Sequence, residues 1–350
     1  MPDPGMDNEM LIDAIRPVIL SMHDHIRDRV VAAFEGADVQ SLSKAVAQEG
    51  GDTIYAIDRV GEDPLIHYLG EFARNVAPVV LITEGQHQGA TVLPRGTSET
   101  DARLRVIIDP IDGTRGLMYQ KRSPWILTGV APNRGDLTNL QDLELSVMTE
   151  IPLLKQHLSD QVWARKGRGV MATRHNRLDM TSSTFELAPS RAPGISHGFA
   201  TLARMVPGAR DVLAAVEEDL IIRVAGPQPE GVAICFEDQY ISTGGQMYEL
   251  CAGHDRLIAD LRSLTKEITA NRGRAPGLCC HPYDLAGLVV AVEVGVIVTG
   301  PNGGPLDAPL DTDTDVSWIG YANEAIRTAV EPHLLQLLQE YGLKDVQSDA

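Results

Sequence analysis

Apolar residues along the chain follow two different spacings, which predict a mixture of helices and strands. Spacings of three and four residues are typical of amphipathic helices, and they recur over residues 8–34, about 64–76 and 324–341. In the first of these helices, His23 and His25 are two positions apart and cannot share a face. Both histidines are therefore predicted to lie on the surface.

Short apolar runs predict the strands. Buried or half-buried strands are predicted at residues 79–85, 104–108, 126–131 and 143–149. The second of these is predicted to stop at Asp109-Pro110, because proline cannot donate a ladder hydrogen bond. Further along, a strand at 198–202, a helix at 209–217 and a strand at 220–224 alternate, as in α/β proteins.

A proline and glycine cluster at residues 189–194 is typical of a linker. We therefore predict two units, an N-terminal α+β domain over residues 1–188 and a C-terminal α/β domain over residues 189–350. The candidate chemistry described next falls in both, so the second unit is expected to complete the site.

Two carboxylates follow directly on the buried strand at 104–108. Asp109 and Asp112 flank Ile111, so a tight turn can direct both side chains and the Ile111 carbonyl at one point. Hard oxygen ligands of this kind suit Mg²⁺ better than zinc or copper. Gly113 and Thr114 come next, and the free N–H groups of a helix start attract phosphate oxygens. The alternative is an ordinary strand-to-turn connection.

Three further acidic residues can be interpreted either as functional groups or as parts of the local structure. Glu84 follows a short buried strand, where α/β proteins present functional groups. Asp58 precedes the second predicted helix and Asp284 precedes an apolar one, so each could instead be a helix cap. The same choice applies at another helix start, which can offer hydroxyls and a close backbone approach from Ser242, Thr243 and Gly244.

Two segments carry a resemblance to a known family. The hexad Asp-Pro-Ile-Asp-Gly-Thr at 109–114 and the stretch Tyr-Asp-x-Ala-Gly at 283–287 resemble the two signatures of the inositol monophosphatase superfamily. Its members are Mg²⁺-dependent, lithium-sensitive phosphatases of inositol phosphates, fructose 1,6-bisphosphate and 3′-phosphoadenosine 5′-phosphate. The resemblance covers about residues 45–340. It implies a layered αβαβα sandwich of the α+β or α/β class with two subdomains.

The resemblance also implies a ligand set. Glu84, Asp109 and the Ile111 carbonyl would hold one Mg²⁺, and Asp109, Asp112 and Asp284 would hold a second. Gly85 stands where the family has a second glutamate, so two ions are expected and a third is left as an alternative.

Catalytic and substrate contacts are implied in the same way. Asp58 and Thr114 would help to deprotonate the attacking water beside the metal ligand Glu84. The expected substrate contacts are Asp112, Gly113, Thr114, Ser242, Thr243, Gly244 and Asp260.

The implied activity is hydrolysis of a small phosphorylated metabolite, an inositol phosphate or a sugar phosphate, by metal-activated water. As an alternative, Arg115-Gly-Leu is closer to the Lys-Gly-Phe of the 3′(2′),5′-bisphosphate nucleotidases than to the Thr-Asn-Phe of the inositol enzymes. Phosphoadenosine phosphate would then be the substrate. A third possibility, favoured only by Gly85, is a non-catalytic phosphatase-like scaffold that binds metal or phosphate.

Charge, cysteine spacing and apolar segments indicate the kinds of partner and the compartment to expect. Lys and Arg number 30 against 48 Asp and Glu, and the net charge of −18 argues against duplex nucleic acid or an anionic membrane as partner. The four cysteines have no zinc-site spacing and are predicted to be reduced. The acidic N-terminus differs from a signal peptide, and the longest apolar stretch, 285–298, is too short to span a bilayer. A cytoplasmic protein is expected, and the family resemblance implies that it forms a homodimer.

Overall fold

The computed structural model describes residues 6–36, 45–49, 52–55, 58–84 and 90–343, without the side chains of residues 45–49, 52–55 and 58–62. Two predictions therefore lie outside the described residues. These are the role of the Asp58 side chain and the effect of Gly85 on a third metal ion.

The described residues form eight α-helices and fourteen β-strands. The helices are α1 (Asn8–Gly36), α2 (Asp58–Asn75), α3 (Thr114–Met118), α4 (Arg210–Ala225), α5 (Thr243–Cys251), α6 (Lys266–Asn271), α7 (Leu288–Val294) and α8 (Glu324–Glu340). The first seven strands are β1 (Ala45–Glu49), β2 (Asp52–Tyr55), β3 (Val79–Thr83), β4 (Thr91–Leu93), β5 (Leu104–Asp112), β6 (Trp125–Pro132) and β7 (Leu145–Glu150). The others are β8 (Leu158–Arg165), β9 (Val170–Asn176), β10 (Thr181–Phe185), β11 (Phe199–Leu202), β12 (Asp255–Asp260), β13 (Ile297–Thr299) and β14 (Trp318–Tyr321).

Two sheets dominate the described part of the chain. The large one has eight strands in the order β10-β9-β8-β7-β6-β5-β3-β4, and the small one has four in the order β11-β12-β14-β13. In the large sheet β3 and β5 run parallel, so their carboxyl ends lie at the same edge, with Thr83 opposite Ile108. The strands β1 and β2 form a separate antiparallel pair.

The helices and sheets alternate in five layers. One apolar core packs α1 and α2 against one face of the large sheet. A second core joins the opposite face to α5 and α7, and continues through the small sheet to α4 and α8. This arrangement confirms the expected αβαβα sandwich. The division into domains at residue 189 stays a prediction, because the second core includes residues from both sides of it.

Two of the elements predicted away from Asp109 differ from the structure. The strand predicted at 220–224 is wrong, because α4 continues to Ala225. Leu213, Val216 and Leu220 are buried at helical spacing on this helix, and that packing outweighs the strand preference of the β-branched residues after Leu220. The second helix begins at Asp58 rather than near residue 64, so Pro64 lies within it.

His23 corrects the prediction that both histidines of the first helix are exposed. His25 is exposed, but His23 is fully buried between α1 and the large sheet. Its Nδ1 lies 2.9 Å from Thr149 Oγ1 and its Nε2 lies 2.7 Å from Thr128 Oγ1. Two hydroxyls from adjacent strands therefore satisfy both ring nitrogens.

All four cysteines are free thiols. Among the helices of the described residues, none is long and apolar enough to cross a lipid bilayer.

Candidate metal centre

Three aspartates from distant parts of the sequence meet at the end of β5. Asp109 and Asp112 belong to that strand, and Asp284 lies in a short 3₁₀ turn, Pro282–Leu285, ahead of α7. One carboxylate oxygen from each lies within 4.8 Å of the others. We call these residues the acidic triad. The structure thus brings together the acids of both sequence motifs.

A bulge in β5 makes this convergence possible. The strand was predicted to stop at Asp109, but it continues to Asp112. Residues three apart on a regular strand point to opposite faces. In β5 the pairing with β6 shifts, so that Asp109 lies opposite Leu127 and Asp112 opposite Trp125. The extra residue turns both carboxylates to the same side, and Pro110, which has no N–H to donate, is tolerated at such a bulge.

Hydrogen bonds hold each carboxylate of the triad. Asp109 accepts from the Ile111 N–H at 2.9 Å, and Asp284 accepts from the His281 N–H at 2.7 Å. Asp112 accepts from the Ser242 hydroxyl at 2.8 Å and from the N–H of Gly244. The first turn of α5 therefore fixes an acid of the large sheet.

Burial and mutual repulsion perturb the triad. Burial raises the pKa of Asp109 well above its ordinary value, and the charges of Glu84, Asp112 and Asp284 raise it further. Burial and then the charge of Asp112 do the same for the pKa of Asp284. The pKa of Asp112 is raised by burial to about 6, although hydrogen bonds from Gly244 and Ser242 oppose the rise. A divalent cation would relieve this repulsion.

Glu84 lies at the same edge of the sheet. It follows the last residue of β3, is partly buried, and its N–H donates to the Ile108 carbonyl at 3.4 Å. Its charge raises the pKa of Asp109. The sequence placed a lone carboxylate after β3, and the parallel pairing of β3 with β5 brings it towards Asp109.

Gly113 and Thr114 form the turn after the bulge. Thr114 Oγ1 donates to the Ile111 carbonyl at 2.9 Å, so this carbonyl, predicted as a metal ligand, is oriented by the hydroxyl. Gly113 has φ of 100°, and a Cβ there would lie 2.9 Å from the Ile241 carbonyl oxygen. Glycine is needed here both for the backbone conformation and for the close approach of the chain before α5.

Ser242, Thr243 and Gly244 form the start of α5. Ser242 is the N-cap, and its hydroxyl accepts from the Gly245 N–H at 2.9 Å while donating to Asp112. Ser242 is thus the cap that the sequence suggested, and its hydroxyl also bonds to an acid of the triad. The predicted contact of these residues with a substrate stays a prediction.

Gly244→Ala should damage the site through a steric effect. An added Cβ would lie 2.5 Å from Leu127 Cδ2 and 3.1 Å from Asp112 Oδ2. We expect the free energy of unfolding to fall by about 1–3 kcal/mol. We also expect Mg²⁺ to raise the unfolding temperature less than in the unaltered protein, because Asp112 is displaced. Thermal and denaturant unfolding with and without Mg²⁺ measure both effects.

Gly194→Ala is the matched control for this prediction. A Cβ at Gly194 would meet no atom within 4 Å. It should leave both the stability and the response to Mg²⁺ unchanged. Equal behaviour of the two variants would contradict the tight packing of Gly244 against Asp112.

Asp260 has a buried partner that the sequence did not reveal. Its side chain is fully buried at the end of β12, and Arg262 Nε donates to its two oxygens at 2.8 and 3.1 Å. The Arg262 charge also opposes the rise in the pKa of Asp112 and Asp284. The sequence signal for this ion pair was an arginine two residues after the acid. The predicted contact of Asp260 with substrate stays a prediction.

The donor set suits a hard cation. The triad consists of carboxylates, and Glu84 and the Ile111 carbonyl offer further oxygens nearby, as Mg²⁺ prefers. The nearby Cys280 thiol is fully buried, and burial and the charge of Asp284 raise its pKa well above the usual value. It therefore stays protonated, which disfavours a soft metal such as zinc. The residues present fit Mg²⁺.

Comparison of the sequence with known proteins identifies no relative. No protein-family model matches the chain, and no curated protein matches it significantly.

Comparison of the structure finds similar folds across nearly the whole chain. Fructose-1,6-bisphosphatase of Leishmania major in holo form matches with a TM-score of 0.62 and 14% identity, covering 98% of this chain and 96% of that one. The extragenic suppressor protein SuhB of Bartonella henselae matches with a TM-score of 0.60 and 16% identity, covering 92% and 98%. Inositol monophosphatase II of Staphylococcus aureus matches with a TM-score of 0.57 and 15% identity, covering 95% and 99%. Structures of the staphylococcal protein contain inositol monophosphate or 2′-AMP.

Proposed function

We propose that this chain, whose fold is that of the inositol monophosphatase and fructose-1,6-bisphosphatase superfamily, is a Mg²⁺-dependent phosphomonoesterase. Its substrate would be a small phosphorylated metabolite, an inositol phosphate or a sugar phosphate. The observation that carries the proposal is the meeting of three buried aspartates at the end of β5. Ionised carboxylates this close together are unfavourable in a folded protein unless a cation offsets their charge.

The metal ligands would be shared between two positions. Glu84, Asp109 and the Ile111 carbonyl would hold one Mg²⁺, and Asp109, Asp112 and Asp284 a second. When bound, two such ions supply Lewis acidity that offsets the charge of the phosphate and activates water for in-line attack. The bulge of β5 and the α5 cap hold the aspartates in place before any ion arrives, which supports this assignment.

The remaining residues would bind substrate and move a proton. The backbone N–H groups of Gly113 and Thr114 would bind the phosphate oxygens. Thr114, already oriented by its bond to the Ile111 carbonyl, would take part with Asp58 in accepting the proton of the attacking water. Ser242, Thr243 and Gly244 would face the alcohol part of the substrate.

A second candidate is a 3′(2′),5′-bisphosphate nucleotidase. Arg115, Gly116 and Leu117 follow the hexad at the place where that group has Lys-Gly-Phe. A Cβ at Gly116 would lie 3.0 Å from the Arg122 carbonyl oxygen, so glycine is favoured there by packing alone. The arginine is then the feature that supports a second phosphate on the substrate.

Phosphate release from a panel of substrates tests the proposal. The panel contains inositol monophosphates, fructose 1,6-bisphosphate and phosphoadenosine phosphate, each with Mg²⁺ and with a chelator. We expect turnover of at least one compound with Mg²⁺, a loss of at least about 100-fold with chelator, and inhibition by millimolar lithium.

The panel also separates the alternatives. Preference for phosphoadenosine phosphate would favour the nucleotidase. Mg²⁺ binding without turnover of any compound would favour the non-catalytic scaffold, and equal turnover in chelator would contradict the metal centre. Light scattering of the purified chain tests the homodimer that the resemblance implies.

A further inference from the structure

A cavity of about 800 Å³, largely open to solvent, lies at the surface between the start of α4 and the segment 262–277. Its size is within the roughly 300–1,000 Å³ that is typical of small-molecule sites. It shares no residue with the acidic triad. It is lined by Pro207, Gly208, Arg210, Asp211, Arg272 and Arg274. We call it the arginine cavity.

The charges of the arginine cavity are incompletely neutralised. Arg272 forms two hydrogen bonds with Asp211, at 2.8 and 2.9 Å. Arg210 donates to the carbonyls of Met205 and Val206, so these contacts bring it no counter-charge. The Arg274 side chain is exposed and has no hydrogen bond or ion pair with any residue that the structure describes. Three arginines and one aspartate give the lining a formal charge of +2, in a chain of −18.

The backbone around the cavity is held in place. A Cβ at Gly277 would lie 2.6 Å from the Pro207 carbonyl oxygen, so the two walls are in close contact. The Arg274 N–H donates to the Thr269 carbonyl at 3.1 Å. Arg262 holds both ends of the segment, since it pairs with Asp260 and donates to the Leu278 carbonyl at 2.8 Å. The guanidinium groups therefore extend from a fixed frame.

We infer that the arginine cavity is a second ligand site, which binds a small polyanion that carries two or more phosphate groups. Guanidinium groups form paired, charge-assisted hydrogen bonds with phosphate oxygens. Arg210 and Arg274 lack a counter-charge in the described structure, which matches more than one anionic group on the ligand. The lining contains no aromatic side chain on which a nucleobase could stack, so the phosphate groups provide the recognition.

Calorimetric titration of the full-length, metal-free protein with sodium tripolyphosphate tests this inference. Without metal the acidic triad repels anions, so binding reports on the arginine cavity whether or not the chain is a phosphatase. We expect saturable binding of one tripolyphosphate per chain that weakens as salt is added. Arg274→Gln and Arg210→Gln should each weaken binding by about tenfold. Adenosine triphosphate should bind no more tightly than tripolyphosphate.

Arg191→Gln is the matched control, because Arg191 is exposed and lies outside the cavity. It should bind tripolyphosphate as the unaltered protein does, and unfolding temperatures should confirm that all three variants are folded. The inference is overturned by an absence of saturable binding or by full affinity in Arg274→Gln and Arg210→Gln. An equal loss in Arg191→Gln would also overturn it, because binding would then follow overall charge. Tighter binding of adenosine triphosphate would contradict recognition through phosphate alone.

Discussion

Asp109→Asn is expected to abolish phosphate release and yet to make the metal-free protein more stable. Burial, and then the charges of Glu84, Asp112 and Asp284, raise the pKa of Asp109 well above its ordinary value. An amide can still accept the hydrogen bond from the Ile111 N–H, and it removes the carboxylate that its neighbours repel. Each unit by which the folded-state pKa is raised destabilises the ionised protein by about 1.4 kcal/mol.

The gain in stability should depend on pH. When folding raises the pKa of a carboxyl group, the protein has its full stability at low pH, where the group is protonated in both states. That stability is lost as the pH rises through the folded-state pKa, which for Asp112 is about 6. In chelator, the acidic triad should therefore contribute a fall in the free energy of unfolding as the pH rises from about 4 to about 7, superimposed on the contributions of other groups. Asp109→Asn should fall less, because one of the repelling charges is absent.

Mg²⁺ should reverse the order of stability. It should stabilise the unaltered protein and have little effect on Asp109→Asn, whose phosphate release should be at least about 100-fold lower. Urea unfolding in chelator and in Mg²⁺ makes the comparison, with Asp313→Asn, in an exposed loop, as a control that changes neither. Equal stabilisation of Asp109→Asn by Mg²⁺ would show that the ion binds without Asp109 and would contradict the proposed ligand set.

The second large effect concerns acid stability and His23. Burial, and then the Arg27 charge, lower the pKa of this histidine from 6.5 to about 3. The folded state keeps the His23 ring neutral, whereas the unfolded chain binds a proton below pH 6.5. The contribution of His23 to stability is therefore complete above pH 6.5 and is lost as the pH falls from there towards 3. Between about pH 7.5 and about pH 5, this group should lower the free energy of unfolding by about 2 kcal/mol.

His23→Gln should reduce that acid sensitivity. Glutamine does not titrate, and its amide can bond to Thr128 or Thr149, so the variant should lose stability less steeply towards acid although it is less stable at neutral pH. Urea unfolding at several pH values measures the slope. His25→Gln, on the exposed face of the same helix, should keep the full slope. If His23→Gln also kept it, other groups would account for the acid sensitivity.

His23 also shows how a usable sequence signal was missed. Ile19 and Ile26 lie four positions before and three after it, and both are buried on α1. Helical spacing alone therefore placed this histidine in the core. The surface prediction rested on the two-residue spacing from His25, but two threonines on neighbouring strands provide the partners that a buried ring needs.

The overall architecture was predictable because its elements carry strong local patterns. The apolar spacing of α1 and α8 and the apolar run of β3 gave positions close to those observed. The strand wrongly predicted at 220–224 shows the limit. Its β-branched residues favour a strand locally, and only the packing of Leu213, Val216 and Leu220 decides for a helix.

The sequence predicted the acidic residues of the candidate site but not the hydrogen bonds that hold them in place. The hexad and the stretch around Asp284 pointed to the triad, which the structure assembles. Nothing local in the sequence shows that the cap of α5 bonds to Asp112, because this contact depends on how distant elements pack. The pairing of Arg262 with Asp260 is local, and its signal, an arginine two residues after the acid, was not used.

The bulge in β5 makes the candidate centre sensitive to strand pairing as well as to side-chain chemistry. The surplus residue between Asp109 and Asp112 places both acids on one side of the sheet. If the same three-residue step paired regularly with β6, the second acid would face the opposite side although every aspartate remained. Loss of that one backbone irregularity would end cation binding without the replacement of a single ligand.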